Sequence, residues 1–440
     1  VYAGGVMPVQ DRTASPSMTA KVILFCNPKS IYGYLKMKSN RSSPMPEHSG
    51  FSRSISGPLS VVEIQRGDLK EFFLTFRPKK LPSGVTESVE EIYDRVAEYI
   101  SSIRGEVVQE RCYAMTNTYE AVSAARRKAF KRHGVQSEGP LCFVGEMPCE
   151  PTSVAGIQVW AVQSKKSAAV CQLLLEGQAV GRTFCYQNIC YLSVASLGPR
   201  GDLQGVPRRQ EHAVSMFEQA NQILTAHGLS YRNVARTWIY LPKLLSWYDE
   251  FNAGRRQAYR KFGLLDGEKP VWLPASTGIQ GDCPLGRECM MDFLAISRLE
   301  GGTLETETLD SPAQCEASQY GSSFSRGVEV RDESVSRVYV SGTASIDDEG
   351  KTVHIGDPEK QIRHTLNVVR ELLASRNHSF SDVAHCVAFF KRPEYSTHFR
   401  RIAEEEGLDY HGVIETAADI CRDDLLFEVE VMTIKPLGKS

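Results

Sequence analysis

The chain has 440 residues, 42% of them hydrophobic and 24% charged, with 51 basic against 53 acidic side chains and a net charge of −2. That composition suits two to four soluble domains with real cores, and it lacks the excess of basic charge that a nucleic-acid-binding face draws on. No apolar run approaches the roughly 20 residues of a membrane span, so neither nucleic acid nor membrane is an expected partner.

In chain order, residues 1–57 are rich in Ser, Pro, Lys and Arg, poor in acids and without sustained periodicity. They read as a flexible tail. The low acid content also suits an organelle transit segment, with Met7 or Met18 as alternative starts. A first unit is expected over 58–175, with a strand at Leu69–Phe76, a helix at Val89–Ile103, a strand at Val107–Met115 and a second helix from Tyr119. A second unit, over 176–300, has a strand at Ile189–Leu197 and a helix at Gln210–Ala226. It continues with a strand at Val234–Leu241, a helix at Tyr248–Phe262, and strands at Trp272–Ile279 and Met290–Ile296. A third, over 316–440, runs from the strand Arg337–Ile346 to a helix from Pro358, whose Ile362, Leu366, Val369 and Leu373 share one stripe. Then come Val383–Phe390, a short helix near Ser396–Glu406, and strands at Gly412–Ile420 and Leu425–Ile434.

The order β, α, β, α, β, β therefore recurs. Val234 and Val383 lie 149 residues apart, as do Leu224 and Leu373, and Ser196 and Ser345. Tyr119, Arg126, Arg127, Ala129 and Gly134 precede Tyr248, Arg255, Arg256, Ala258 and Gly263 by a constant 129. Three tandem units are the expectation, with two units behind an unrelated N-terminal domain as the alternative. Each unit is α+β, a mixed sheet carrying two helices on one face. The other face must be covered, and three such units closing on one another cover all three at once. A monomeric intrachain pseudo-trimer, or a weak homo-oligomer of such chains, follows. The twelve cysteines lack zinc-type spacing. Neither Cys185/Cys190 nor Cys283/Cys289 has a partnering second pair or His cluster, and free thiols in a reducing, cytoplasmic protein are expected. No metal or cofactor is expected.

The third unit resembles the YjgF/Rid family, whose units have a chorismate-mutase-like fold. The resemblance rests on Val340-Ser-Gly-Thr-Ala-Ser-Ile346, on Gln361…Thr365-Leu-Asn-Val368 and on Leu426-Phe-Glu-Val-Glu430. Within that superfamily the chain is similar to the chorismatases, which remove pyruvate from chorismate. The matching residues are Ser323-Phe-Ser-Arg326, Ala418-Asp-Ile-Cys-Arg-Asp-Asp-Leu-Leu-Phe-Glu428, Thr237-Trp-Ile-Tyr-Leu-Pro242 and Phe251-Asn-Ala-Gly-Arg255. The stretch from Asp347 to Gly356 departs from the chorismatase pattern.

The resemblance implies an enzyme that cleaves the enolpyruvyl ether of chorismate or a related cyclic dicarboxylate, a small carboxylate substrate. Such chemistry needs a carboxylic acid kept protonated near neutrality and arginine forks for the carboxylates. Glu428 is the candidate acid. On strand alternation alone it reads as a solvent-facing residue, and the resemblance favours the catalytic role. Asp292 and Gln158 occupy the matching places in the other units. Arg255, Arg326 and Arg422 are the candidate forks, each otherwise a surface arginine. Cys421 resembles a residue of chorismatases that release 3-hydroxybenzoate, or is a small buried thiol. Gly342 admits close approach of a ligand or relieves a bend. Tyr240, Trp238 and Trp247 read as core or interface aromatics. Two other functions stay open: a Rid-type enamine or imine hydrolase, whose carboxylate-binding arginine is missing near Val413, and a non-catalytic small-molecule-binding protein.

Overall fold

Apolar and alternating segments of this sequence assemble into three large mixed sheets in a computed structural model, which describes residues 22–24, 50–78, 87–136, 139–164, 170–201, 209–317 and 322–438. The first sheet runs Phe51–Ser56, Leu59–Arg66, Leu69–Phe76, Val154–Ser164, Glu106–Ala114, Cys142–Gly145. The second runs Val22–Leu24, Cys171–Leu175, Gln178–Tyr186, Ile189–Leu197, Met290–Arg298, Val234–Tyr240, Ala275–Ile279. The third runs Glu305–Leu309, Gly327–Arg331, Val335–Ala344, Phe427–Pro436, Val383–Phe390, Val413–Ala417, Met147–Pro148.

A common plan repeats in all three. A late strand inserts between two earlier ones, and one pair in each sheet is parallel. Parallel neighbours need a crossover, and a helix supplies it each time. The helices are α1 (Val89–Ser102), α2 (Tyr119–His133), α3 (Arg209–Ala226), α4 (Tyr248–Lys261), α5 (Pro358–Ala374) and α6 (Ser396–Glu405). The crossovers are α2, α4 and α6. Local chemistry sets the helix ends. Ser88 and Glu91 form a capping box on α1, and the Asp357 side chain caps α5 just before Pro358. Past α2 and α4 the chain turns through Gly134 (φ +66°) and Gly263 (φ +73°), the same 129 residues apart. A left-handed residue there is strained with any Cβ, so Gly263→Ala is expected to lower stability by about 1 kcal/mol in urea denaturation.

Each helix pair packs on the outer face of its own sheet and makes a separate core, such as Ile362, Leu366, Phe399 and Ile402 against Val338, Val429 and Phe427. The inner faces of the three sheets meet in one shared core, where Phe73 and Trp160 of the first join Tyr191, Trp238 and Leu294 of the second and Tyr339 and Phe389 of the third. This is the pseudo-trimer the repeats imply: three bare sheet faces cover one another. Trp238 and Tyr240 lie in that core, and Trp247 lies in the helix-side core of the second sheet.

Two buried polar knots tie the sheets together. In one, Arg66 meets Glu71 (2.7 Å) and Asp332 (2.5 Å), Arg337 meets Glu71 (2.5 Å), and the Tyr191 hydroxyl accepts from Arg337 (3.2 Å). In the other, the Glu430 carboxylate accepts from Arg111 (3.3 Å), Arg236 (2.8 Å) and the Trp238 indole (3.1 Å).

Several expectations change. Most of the tail over 1–57 lies outside the described residues, but Phe51–Ser56 is an edge strand paired with Leu59–Arg66, and Val22–Leu24 pairs with Cys171–Leu175. Cys171–Leu175, placed at the end of the first unit by the 58–175 boundary, also pairs with Gln178–Tyr186 and so belongs to the second sheet. The third sheet begins at Glu305 rather than after 316. Cys185 and Cys190 are not free thiols: they face each other across the Gln178–Tyr186/Ile189–Leu197 hairpin and form a disulfide. Among the described residues, no helix is long and apolar enough to cross a membrane.

Candidate active site

Between the second and third sheets lies a cavity of about 350 Å³, a size that suits a small metabolite. Glu428, Cys421, Arg255, Arg326, Arg422 and Gly342, the six residues singled out in the sequence, all line it. Two sheets and their connections bring them there. From the second sheet, α4 contributes Arg255 and the parallel strand Ala275–Ile279 forms a wall. From the third come the strand end at Gly342, the segment before Gly327 and the closing strand Phe427–Pro436. The two halves are stitched directly: Ser276 N donates to Ser341 Oγ (2.8 Å), and Ser325 N donates to the Pro274 carbonyl (3.1 Å).

Glu428 is buried, not solvent-facing. Loss of hydration pushes its carboxyl up to about 8, the neighbouring Glu430 adds to the shift, and Arg236 and Arg326 oppose it only partly. The strand Val335–Ala344 bulges between Val340 and Thr343. At Gly342, inside the bulge, an added Cβ would sit 2.2 Å from Glu428 Oε1 and 3.3 Å from Thr277 Cγ2. The glycine thus makes room for the acid itself rather than relieving a bend. Gly342→Ala should displace the carboxylate and lower turnover about 10- to 100-fold at nearly unchanged stability, read by steady-state kinetics beside a thermal melt.

Arg255 is 1% exposed, makes no ion pair among the described residues, and has a buried Nε without a hydrogen-bond partner. Its Nη2 donates to Asn252 Oδ1 (2.6 Å), one helical turn before it on α4. The Phe324 ring neighbours both the Arg255 and Arg326 guanidiniums, which lie 5.8 and 5.7 Å from its centre. Arg326 also donates to the Cys315 carbonyl (2.9 Å), and Arg422 donates to the Gly350 carbonyl (2.8 Å). Of the three, Arg255 is a buried cation held in place with no ion pair among the described residues. Burial, followed by the nearby Glu428, pushes the Cys421 thiol up to about 12, so at neutral pH it is a neutral S–H rather than a nucleophilic thiolate.

The cavity also gathers residues the sequence reading passed over: Tyr248, Asn252, Ser276, Ser322 and Phe324. Asn252 and Phe324 carried a signal, because they sit inside the same short motifs as Arg255 and Arg326. The residues at the matching places of the other units are occupied otherwise. Asp292 accepts from the Ser196 backbone N–H (2.7 Å), and Gln158 donates to the Cys386 carbonyl (3.0 Å). Among the described residues, no group of three or more His, Cys, Asp or Glu is placed to hold a metal ion.

Comparison with known proteins agrees with this architecture. Residues 319–434 match the family described as Endoribonuclease L-PSP, the YjgF/Rid domain. The chain is 28% identical over 235 residues to a chorismatase of Streptomyces hygroscopicus, covering 48% of this chain and 64% of that protein's length. It is 24% identical over 304 residues to a 3-hydroxybenzoate synthase of the same organism, covering 64% of this chain and 82% of the relative. Among solved structures, a chorismatase superposes with a TM-score of 0.54 at 21% identity, over 74% of this chain and 93% of that one.

Proposed function

We propose that the cavity between the second and third sheets cleaves the enolpyruvyl ether of chorismate, or of a related cyclic dicarboxylate, with Glu428 as general acid. The family relationship and the chorismatase-like fold are the premise. The observation that carries the chemistry is a buried carboxyl, pushed up to about 8, inside a cavity lined by arginines.

The protonated Glu428 delivers its proton to the terminal methylene carbon of the enol ether. This creates an oxocarbenium-like centre at the ether-bearing carbon and leaves Glu428 as carboxylate. Water adds to that centre and gives up a proton, which returns to Glu428. The resulting hemiketal breaks its bond to the ring oxygen and yields pyruvate and a hydroxylated ring acid. Arg255, whose guanidinium has no ion pair among the described residues, takes one substrate carboxylate, and Arg326 and Arg422 line the path of the other. Cys421 presents a neutral thiol beside the acid and contacts the ring product. In a Rid-type hydrolase the strand at Val413 would supply the carboxylate-binding arginine; here Glu415 follows instead and is paired to Arg77 (2.7 Å) and Arg400 (2.7 Å).

The test is incubation of the purified protein with chorismate and enzymatic assay of pyruvate. Release that depends on Glu428 supports the proposal. Hydrolysis of 2-aminoacrylate with no action on chorismate assigns the cavity to the enamine hydrolases, and tight binding without turnover makes it a sensor.

A further inference from the structure

The first and second sheets enclose a second cleft built to the same plan. Six residues of α2 line it, among them Tyr119, Ser123, Arg126 and Arg127. These four lie 129 residues before residues of α4 that line the Glu428 cavity, namely Tyr248, Asn252, Arg255 and Arg256. The cleft is wider, about 1510 Å³, and its opposite wall carries Arg182 and Arg287.

Charge in this cleft is poorly balanced. Arg126 is compensated, donating through Nε to both oxygens of the buried Glu110 (2.8 and 3.0 Å). Arg287 spends Nη1 on the Ser196 carbonyl (2.6 Å). Arg182 has no such match. It is 4% exposed, its Nη2 has no hydrogen-bond partner, and it makes no salt bridge among the described residues. Burial, and then the repulsion of Arg126, lower its pKa to about 10. A guanidinium taken out of water and set near another is unfavourable until an anion joins them. The acid in the lining, Glu106, is engaged by the Val170 backbone N–H (2.8 Å).

The catalytic acid is what this cleft lacks. Asp292 takes the place of Glu428, but it is fully buried and is not among the lining residues. Ser196, which does line the cleft, holds Asp292 Oδ1 through its backbone N–H (2.7 Å). Ser196 sits in a left-handed conformation (φ +57°), an uncommon state for serine, at the bulge between Val194 and Leu197.

From this geometry we infer that the cleft between the first and second sheets is a second, non-catalytic binding site for a small carboxylate, gripped by Arg182 with Arg127 at its rim. It takes the ligand without converting it, because Asp292, the acid at the place of Glu428, is buried behind Ser196 and does not line the cleft.

Calorimetric titration of the full chain with succinate at constant ionic strength reads the number of sites. Arg182→Met should bind one equivalent fewer than the parent protein, and the exposed Arg127→Glu should weaken that same equivalent at least tenfold. Because Arg127 is on the surface, the second variant keeps the test open if the first does not fold. Unchanged stoichiometry and affinity in these variants, or no saturable succinate binding at all, overturns the inference. Binding of inorganic phosphate in place of succinate overturns the carboxylate assignment.

Discussion

Glu428→Gln is expected to lower pyruvate release from chorismate by about a thousandfold while leaving the protein folded. The amide keeps the volume of the side chain but has no proton to give, and general-acid catalysis by a placed side chain is worth roughly 10²–10⁴ in rate. The pH dependence carries the same signature. An acid pushed up to about 8 stays protonated at neutral pH, so activity should hold through pH 7 and fall about tenfold per unit above 8. Stability falls with rising pH too, but over a lower range. A carboxyl whose folded pKa is raised holds its proton in the native state after the unfolded chain has lost it. The parent protein therefore loses stability as pH rises from about 4.5 to 8. The glutamine variant escapes that loss and should melt a few degrees higher than the parent at pH 9. An inactive variant that is also the more stable one cannot be dismissed as unfolded.

Glu71→Ala should produce the largest loss of stability, about 3–5 kcal/mol in chemical denaturation. Its carboxylate is fully buried and holds Arg66 of its own sheet, Arg337 of the third sheet and the Trp160 indole N–H (3.1 Å). Truncation leaves two guanidiniums sharing Asp332 in a site closed to water, at the junction of the first and third sheets. Loss of an exposed pair such as Lys351–Glu349 should leave the denaturation midpoint nearly unchanged. The contrast between the two measures how far the shared core, rather than each unit alone, holds the chain together.

The third unit was legible because its helices and strands are regular and its motifs intact: α5 carries its apolar stripe at Ile362, Leu366, Val369 and Leu373, and all four are buried. The constant offset of 129 also had a physical origin, since it places equivalent arginines in two clefts of one design. What stayed hidden was non-local. Met147–Pro148 leaves the first unit to extend the third sheet, and the two-residue strand has no periodicity to read. Phe51–Ser56 is an edge strand with four polar residues in six, so it passed for tail. The cavity wall formed by Ser322, Phe324 and Ser276 comes from segments remote in sequence that meet only when the sheets close. The role of Gly342 could not be read from sequence either, because it depends on where the Glu428 carboxylate ends up.

The most direct test of the account is a carbon-13 NMR titration of the Glu428 carboxyl, assigned by its disappearance in Glu428→Gln. A midpoint near 8 is the predicted result. A midpoint near 4.5, the value of a glutamate in open water, contradicts it and removes the proton donor on which the proposed chemistry rests.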